Sequence, residues 1–179
     1  RESYQFNLEG QNKFVNNSAK TSGGAIFLTR GSISDLGESY FEGNTSGSTG
    51  GAIHVYGSID KVNNSTFINN KTEGKESTAQ SLTYSGGGAI FTSGEIKDIS
   101  NSTFVGNEVT GMTSNTFISG NGGAIFSFSN IEKISNSEFN GNKAVNKGGA
   151  IWTSQRINSI ENSTFANNKA GDNGGALLA

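Results

Sequence analysis

The sequence repeats one pair of short motifs six times in the same order. Each copy has a Phe followed three residues later by an Asn, and then a Gly-Gly pair that continues as Ala-Ile or, in the last copy, Ala-Leu. The Phe precedes the first Gly by nine residues in four copies, and that Gly precedes the next Phe by 17 or 18 residues. A unit of 26 residues repeated in register predicts a solenoid, in which each unit stacks on the next.

The pattern inside each unit favours strands. Three short apolar stretches per unit are separated by Gly, Asn and Ser, and none is long enough or has the 3.6-residue period of an amphipathic helix. We therefore predict an all-β, single-stranded parallel β-helix with about six rungs of 26 residues and three short strands per rung. Identical positions should stack about 4.8 Å apart, as neighbouring strands do.

Such stacking predicts two structural ladders, one aromatic and one of side-chain amides. The Phe ladder comprises Phe14, Phe41, Phe67, Phe104, Phe139 and Phe165. The Asn ladder comprises Asn17, Asn44, Asn70, Asn107, Asn142 and Asn168. We expect each Asn to bond the local backbone as an Asx-type turn and also the Asn of the next rung.

The corners of the coil are also indicated by residue type. The second position after each Phe is always Asn or Gly, the residues that adopt positive φ at least cost, which predicts a left-handed residue there. The Gly pair predicts a second tight corner, where stacked backbones approach closely. Both features indicate that the repeated motifs are scaffold and not an active site.

Composition narrows the range of functions that the chain could have. The formal net charge is -2 and Cys is absent, which gives no electrostatic reason to expect nucleic acid and excludes disulfides and thiolate metal sites. No segment has the apolar length of a transmembrane helix. We predict no cofactor, metal site or catalytic residue. Because the sequence stops within its repeated motif, we expect residues 1–179 to be a single domain that is a fragment of a longer chain.

One column of aromatic residues is a candidate partner site. The residues directly after the Ile or Leu of the Gly-Gly motif are Phe27, His54, Phe91, Phe126, Trp152 and Leu178. If the Ile side chains point inward, alternation sends this column outward as an exposed aromatic strip, suited to a protein or carbohydrate partner. If the Ala and the aromatic residue are the inward pair, the column is simply core. The sequence leaves both orientations open.

Two insertions give a second candidate site. They fall at the same point of adjacent units, within residues 71–86 and 108–121, so they should emerge side by side. Their apolar residues are Leu82, Tyr84, Met112, Phe117 and Ile118. Either these residues anchor a binding protrusion, or they cover a small core of their own beneath a tolerated insertion.

A polysaccharide lyase or hydrolase is the alternative function, because such enzymes also use parallel β-helices. They require clustered carboxylates. Asp60 and Asp98 lie one and two places after the aligned Ile59 and Ile96, and alternation should put them on opposite faces. The single His, His54, has no obvious carboxylate in its column. We therefore expect a protein that is not an enzyme.

The paired FxxN and GGAI motifs resemble the polymorphic outer-membrane protein repeat of chlamydial surface proteins and other autotransporter passengers. The resemblance covers nearly the entire chain. It implies a right-handed β-helix, export to the bacterial cell surface, and an adhesin or stalk that binds a protein or glycan of a host or neighbouring cell. Open solenoid ends expose unpaired strand edges, so we also expect capping by neighbouring sequence or self-association.

Overall fold

The computed structural model describes residues 4–75, 84–112 and 118–179, and strands are the only regular elements there. The first rung contains β1 (Gln5–Asn7), β2 (Asn12–Val15), β3 (Ser18–Ala19) and β4 (Ile26–Leu28). The second contains β5 (Ser32–Asp35), β6 (Ser39–Glu42), β7 (Thr45–Ser46) and β8 (Ile53–Val55). The third contains β9 (Ile59–Asn63), β10 (Thr66–Ile68), β11 (Lys71–Thr72), β12 (Ser85–Gly86) and β13 (Ile90–Thr92).

The remaining three rungs repeat the arrangement. The fourth contains β14 (Ile96–Ser100), β15 (Thr103–Val105), β16 (Glu108–Val109), β17 (Ser119–Asn121) and β18 (Ile125–Ser127). The fifth contains β19 (Ile131–Ser135), β20 (Glu138–Asn140), β21 (Lys143–Ala144) and β22 (Ile151–Thr153). The sixth contains β23 (Ile157–Glu161), β24 (Thr164–Ala166), β25 (Lys169–Ala170) and β26 (Leu177–Leu178).

Corresponding strands of successive rungs pair in parallel and form four six-stranded sheets. The predicted parallel β-helix is therefore confirmed. Each rung also has a fourth strand of two residues, directly after the Asn of the Phe motif, which the sequence did not separate from its corner. We name the sheets by their most regular residue: the Ile sheet (β1 onward), the Phe sheet (β2 onward), the short-strand sheet (β3 onward) and the Gly-Ala-Ile sheet (β4 onward).

The inner core is built from repeated side chains that stack on copies of themselves. In the Phe sheet, adjacent rings of the ladder from Phe14 to Phe165 lie 4.7 or 4.8 Å apart with their planes within 5° of parallel. Ile residues of the Ile sheet and of the Gly-Ala-Ile sheet fill the rest of the same buried cluster. The ring spacing equals the strand spacing, so packing and backbone pairing reinforce each other.

The predicted left-handed corners are confirmed. Every second position after the ladder Phe has positive φ, from 52° to 65°, whether it is Asn or Gly. The first Gly of each pair also has positive φ. The second Gly has a different requirement, because a Cβ added at Gly51 would overlap the carbonyl oxygen of Gly88 in the next rung. The Gly pair thus combines an unusual backbone conformation with close contact between rungs.

The side-chain amides of the Asn column run between rungs. Asn70 Nδ2 donates to Asn107 Oδ1 at 2.9 Å and to the carbonyl oxygen of Phe41 at 2.9 Å. Its Oδ1 accepts from the backbone N–H and the Nδ2 of Asn44, at 3.0 and 2.9 Å. The local Asx-type turn that we expected is replaced by these bonds, because a side chain buried between stacked rungs has its nearest partners above and below it.

Candidate functional site

The aromatic column of the Gly-Ala-Ile sheet lies outside the inner core and is nevertheless mostly buried. The Ile side chains of β13, β18 and β22 belong to the inner core, whereas Phe91, Phe126 and Trp152 beside them form a second cluster. Phe91 and Phe126 are fully buried and Trp152 is only 4% exposed. Alternation along each strand explains this arrangement, since adjacent side chains point to opposite faces of the sheet. We call this second group the outer cluster.

The two insertions supply the cover of the outer cluster. Tyr84 stacks on Phe91 with ring centroids 5.4 Å apart, and Ile118 packs against the same cluster. Phe128, two residues beyond Phe126, meets the edge of Tyr84 at 5.3 Å and of Phe126 at 4.9 Å. The outer cluster is therefore a second hydrophobic core, built between the face of the β-helix and the residues that end the insertions.

The ends of the insertions are also joined to each other. Strand β12 ends the first insertion and pairs in parallel with β17, which ends the second. Ser85 Oγ lies 2.9 Å from Ser119 Oγ and accepts a hydrogen bond from the backbone N–H of Gly120 at 2.9 Å. A Cβ at Gly86 would overlap the ring of Phe126. These contacts hold both insertion ends close to the sheet.

His54 interrupts the aromatic column in the second rung. Its ring stacks on Phe91 at 4.4 Å and meets Tyr56 and Phe27 edge-on, at 4.6 and 4.9 Å. Nδ1 lies 2.7 Å from Thr49 Oγ1, which is itself 2.8 Å from Ser22 Oγ. Nε2 is buried without a hydrogen-bond partner among the described residues. Burial lowers the pKa of His54 to about 3, so the imidazole is neutral at physiological pH.

The aromatic column becomes exposed toward the first rung. Phe27 is 47% and Tyr56 is 44% exposed, and their rings meet at 67° with centroids 6.1 Å apart. Burial, followed by the nearby hydroxyl of Tyr56, raises the pKa of Tyr84 to about 12, so the tyrosine remains protonated at neutral pH. Leu178, at the other end of the column, is half-buried against the outer cluster.

The structure thus distinguishes among the candidate partner residues. Phe91, Phe126, Trp152 and His54 are buried and offer little surface to a partner, whereas Phe27 does. Tyr84 and Ile118 lie together over the column, and Met112 is 39% exposed. Leu82 and Phe117 lie outside the described residues. Sequence reasoning missed Tyr56 and Phe128, which occupy the same place three residues after the motif Ile and could have been found by extending the alternation.

The expectation that Asp60 and Asp98 lie on opposite faces of the Ile sheet is wrong. Ile59 and Val62 both point inward, so the two residues between them, Asp60 and Lys61, both face outward. The two carboxylates still do not form an acid pair. Asp60 Oδ1 lies 2.8 Å from Lys97 Nζ, and Asp98 is aligned with Lys61 and Lys133 in the neighbouring strands.

Metal-binding clusters and membrane-spanning helices are both absent from the described residues. Within residues 4–75, 84–112 and 118–179 there is no group of three or more His, Cys, Asp or Glu residues arranged to hold a metal ion. The same residues contain no helix long and apolar enough to cross a membrane.

These features define the class of protein as a parallel β-helix repeat protein in which the outer cluster anchors the ends of two adjacent insertions. The Chlamydia polymorphic membrane protein repeat matches residues 13–29, 38–56, 64–93, 136–154 and 162–179, which is more than half of the chain. The chain belongs to this family. The family comprises outer-membrane proteins of adhesin type displayed on the cell surface. No curated protein and no solved structure matches the chain.

Proposed function

We propose that this chain is an adhesive module in which the β-helix is a rigid shaft and the two insertions form the binding face. The partner would be a protein or glycan on a host or neighbouring cell. The observation that carries the proposal is the anchoring of both insertion ends by the outer cluster. We assign the binding face to the insertions because both of them end side by side at one base that is fixed by buried rings such as Phe91 and Phe126.

The anchoring has an energetic consequence for binding. Ordering a loop at an interface costs about 0.5–1.5 kcal/mol for each immobilised long side chain, and this cost is avoided where the loop is already held in place. Tyr84, Ile118 and the pairing of β12 with β17 hold the bases of both insertions before any partner arrives. The exposed rings of Phe27 and Tyr56 lie at the edge of the same surface and extend the proposed face.

At the exposed edge of the outer cluster, the absence of charge among the contacting rings fits a partner that is not strongly charged. The ring contacts of the outer cluster and its exposed edge involve Phe, Tyr, Trp and one neutral His. On the outer surface of the Ile sheet, by contrast, Lys97 pairs with Asp60 and Lys133 with Glu161. That surface serves as a useful internal control. Self-association through the edges of the terminal rungs remains a separate prediction.

The experiment is a cell-binding assay with the purified chain on beads. Residues 76–83 and 113–117 are replaced by Gly-Ser sequences of equal length, which leaves Tyr84 and Ile118 in place. We expect at least a tenfold loss of bound cells. The matched control, Lys61→Ser with Asn158→Ser on the outer surface of the Ile sheet, should bind as the unmodified chain does. Equal binding by the replaced chain and the unmodified chain would refute the proposed face.

A further inference from the structure

His54, the only His in the sequence, lies in the aromatic column beside the rings that anchor the insertion ends. Its ring stacks on Phe91, and Phe91 in turn stacks on Tyr84, which lies near the end of the first insertion. The imidazole is therefore one aromatic ring away from the anchor of the proposed binding face. His54 and Tyr84 therefore both contact the ring of Phe91.

The surroundings of His54 accept a neutral imidazole and disfavour a charged one. The groups that face it are Phe27 of β4, Phe91 of β13, Tyr56 after β8 and the hydroxyl of Thr49. None of these described neighbours is an Asp, Glu, Lys or Arg. The rings give an imidazolium partial cation–π compensation, but they offer no hydrogen-bond acceptor to Nε2–H.

The neighbouring rungs show that the site does not require a His for packing. Phe27, Phe91 and Phe126 occupy the same column, so a Phe would fit the stack without an unpaired polar atom. A buried polar group without a partner is destabilising, and such groups call for an explanation. A titratable side chain in an otherwise aromatic column provides one, because its protonation would place a charge within that column.

We propose that protonation of His54 loosens the outer cluster and releases the insertion ends, so that mild acid changes the presentation of the binding face. The released segments are those around Tyr84, β12 and β17, while the inner core keeps its structure. This inference concerns the regulation of the proposed binding face and so rests on the proposed function for its biological meaning. The release itself is a property of the chain alone.

Linkage gives the size of the effect. In the released form His54 titrates near its ordinary pKa of about 6.5, whereas burial in the closed form lowers that pKa to about 3. The closed form is therefore favoured above pH 6.5 and loses that advantage as the pH falls toward 3. Between pH 7 and pH 5 the ratio of closed to released molecules falls by up to about 25-fold.

Amide hydrogen exchange at pH 7 and pH 5, corrected for the intrinsic pH dependence, tests the proposal. The reporters are the amides of Gly86, bonded to the carbonyl oxygen of Ser48, and of Gly120, bonded to Ser85 Oγ. The reference is the amide of Asn107 in the inner ladder. We expect protection of Gly86 and Gly120 to fall between pH 7 and pH 5 while that of Asn107 stays constant.

Two variants make the outcome decisive. His54→Phe and His54→Gln cannot be protonated in this range, and in both we expect the fall in protection at Gly86 and Gly120 to disappear. An identical pH response in these variants would overturn the proposal, as would a titration of the single imidazole above pH 6 by NMR. A parallel loss of protection at Asn107 would also overturn it, because it would indicate general unfolding.

The two proposals can fail separately. The exchange experiment contains no cells or ligand, so a negative result leaves the adhesive role untouched. If the insertion face binds cells, binding should differ between pH 7 and pH 5 in the unmodified chain and should be the same at both pH values in His54→Phe. Binding that is lost on replacing the insertions but shows the same pH response in both chains would refute only the regulation.

Discussion

The inner core and the outer cluster solve the same packing problem in different ways. Inside the coil, Phe67 stacks between two other Phe residues and Asn70 bonds two other Asn residues. Each residue of these ladders thus finds its packing or hydrogen-bond partner in the identical residue of the adjacent rung. Outside, Phe, His, Tyr and Trp share one cluster, and its cover comes from insertions that occur in only two rungs. The repeat therefore accounts for the shaft, and departures from the repeat account for the cover of the outer cluster.

The largest loss of stability is expected from a change in the Phe ladder of the inner core. Phe67→Ala removes a fully buried ring that is stacked on both sides, and we expect a loss of about 4 kcal/mol in the free energy of unfolding. Urea denaturation followed by circular dichroism measures it. Ile68→Ala, in the same strand but facing outward, is the matched control and should cost less than about 1 kcal/mol. A similar cost for both variants would argue against the ladder.

The Asn ladder offers the next largest effect. Asn70→Ala leaves the backbone N–H of Asn44 without its acceptor and removes one bond each from Asn44 Nδ2 and the Phe41 carbonyl, which should cost about 3 kcal/mol. The control is Asn69→Gly, one residue earlier, because Gly adopts the φ of 52° found at this position without strain. Its stability should stay within about 0.5 kcal/mol of the unmodified chain in the same denaturation assay. Equal destabilisation would show that the corner and not the ladder matters.

The outer cluster should respond to pH where the inner core does not. Because burial lowers the pKa of folded His54 below its unfolded value, stability is complete above about pH 6.5 and decreases as the pH falls toward 3. We expect a decrease of about 2 kcal/mol between pH 7 and pH 5 from this residue. Comparison of urea midpoints for the unmodified chain and His54→Phe isolates this contribution. A pH dependence of equal size in both chains would contradict it.

The surface charges of the Ile sheet should matter least. Lys97 and Asp60 form an ion pair at 2.8 Å, and both side chains are partly exposed. Such exposed pairs contribute little to stability and are weakened by salt. Lys97→Ala should therefore shift thermal unfolding only slightly, with a smaller shift at 1 M NaCl. A large effect that persists at high salt would indicate a structural role that the geometry does not suggest.

The same contrast explains what could be predicted from the sequence. The parallel β-helix and the left-handed corners followed from periodicity and residue type, because each property is local to one rung and is then repeated. The Asn bonds were only half predicted, since the interior position of Asn70 favours partners in adjacent rungs over the local backbone. Asp60 was misplaced because two outward residues, and not one, separate the inward pair Ile59 and Val62.

The outer cluster lay beyond such reasoning. Whether Phe91 and Phe126 are exposed depends on what covers them, and the cover comes from Tyr84 and Ile118 in insertions that share no repeat with them. The position of Phe128 gave a usable signal, since it falls on the same face as Phe126. The small Ser93 lies between Tyr56 and Phe128 in that column, and Tyr84 contacts both of these aromatic residues. The fit of Tyr84 against two aromatic residues separated by a small one becomes apparent only after the rungs are aligned.

The central claim is that the chain has two separable cores, and amide exchange of the double variant Tyr84→Ala with Ile118→Ala tests it most directly. The account predicts that protection at Gly86 and Gly120 falls by at least tenfold, while the amide of Asn107 in the inner ladder keeps its protection. Unchanged protection at Gly86 and Gly120 would show that the outer cluster does not anchor the insertions. Equal loss at Asn107 would show that the two cores are one.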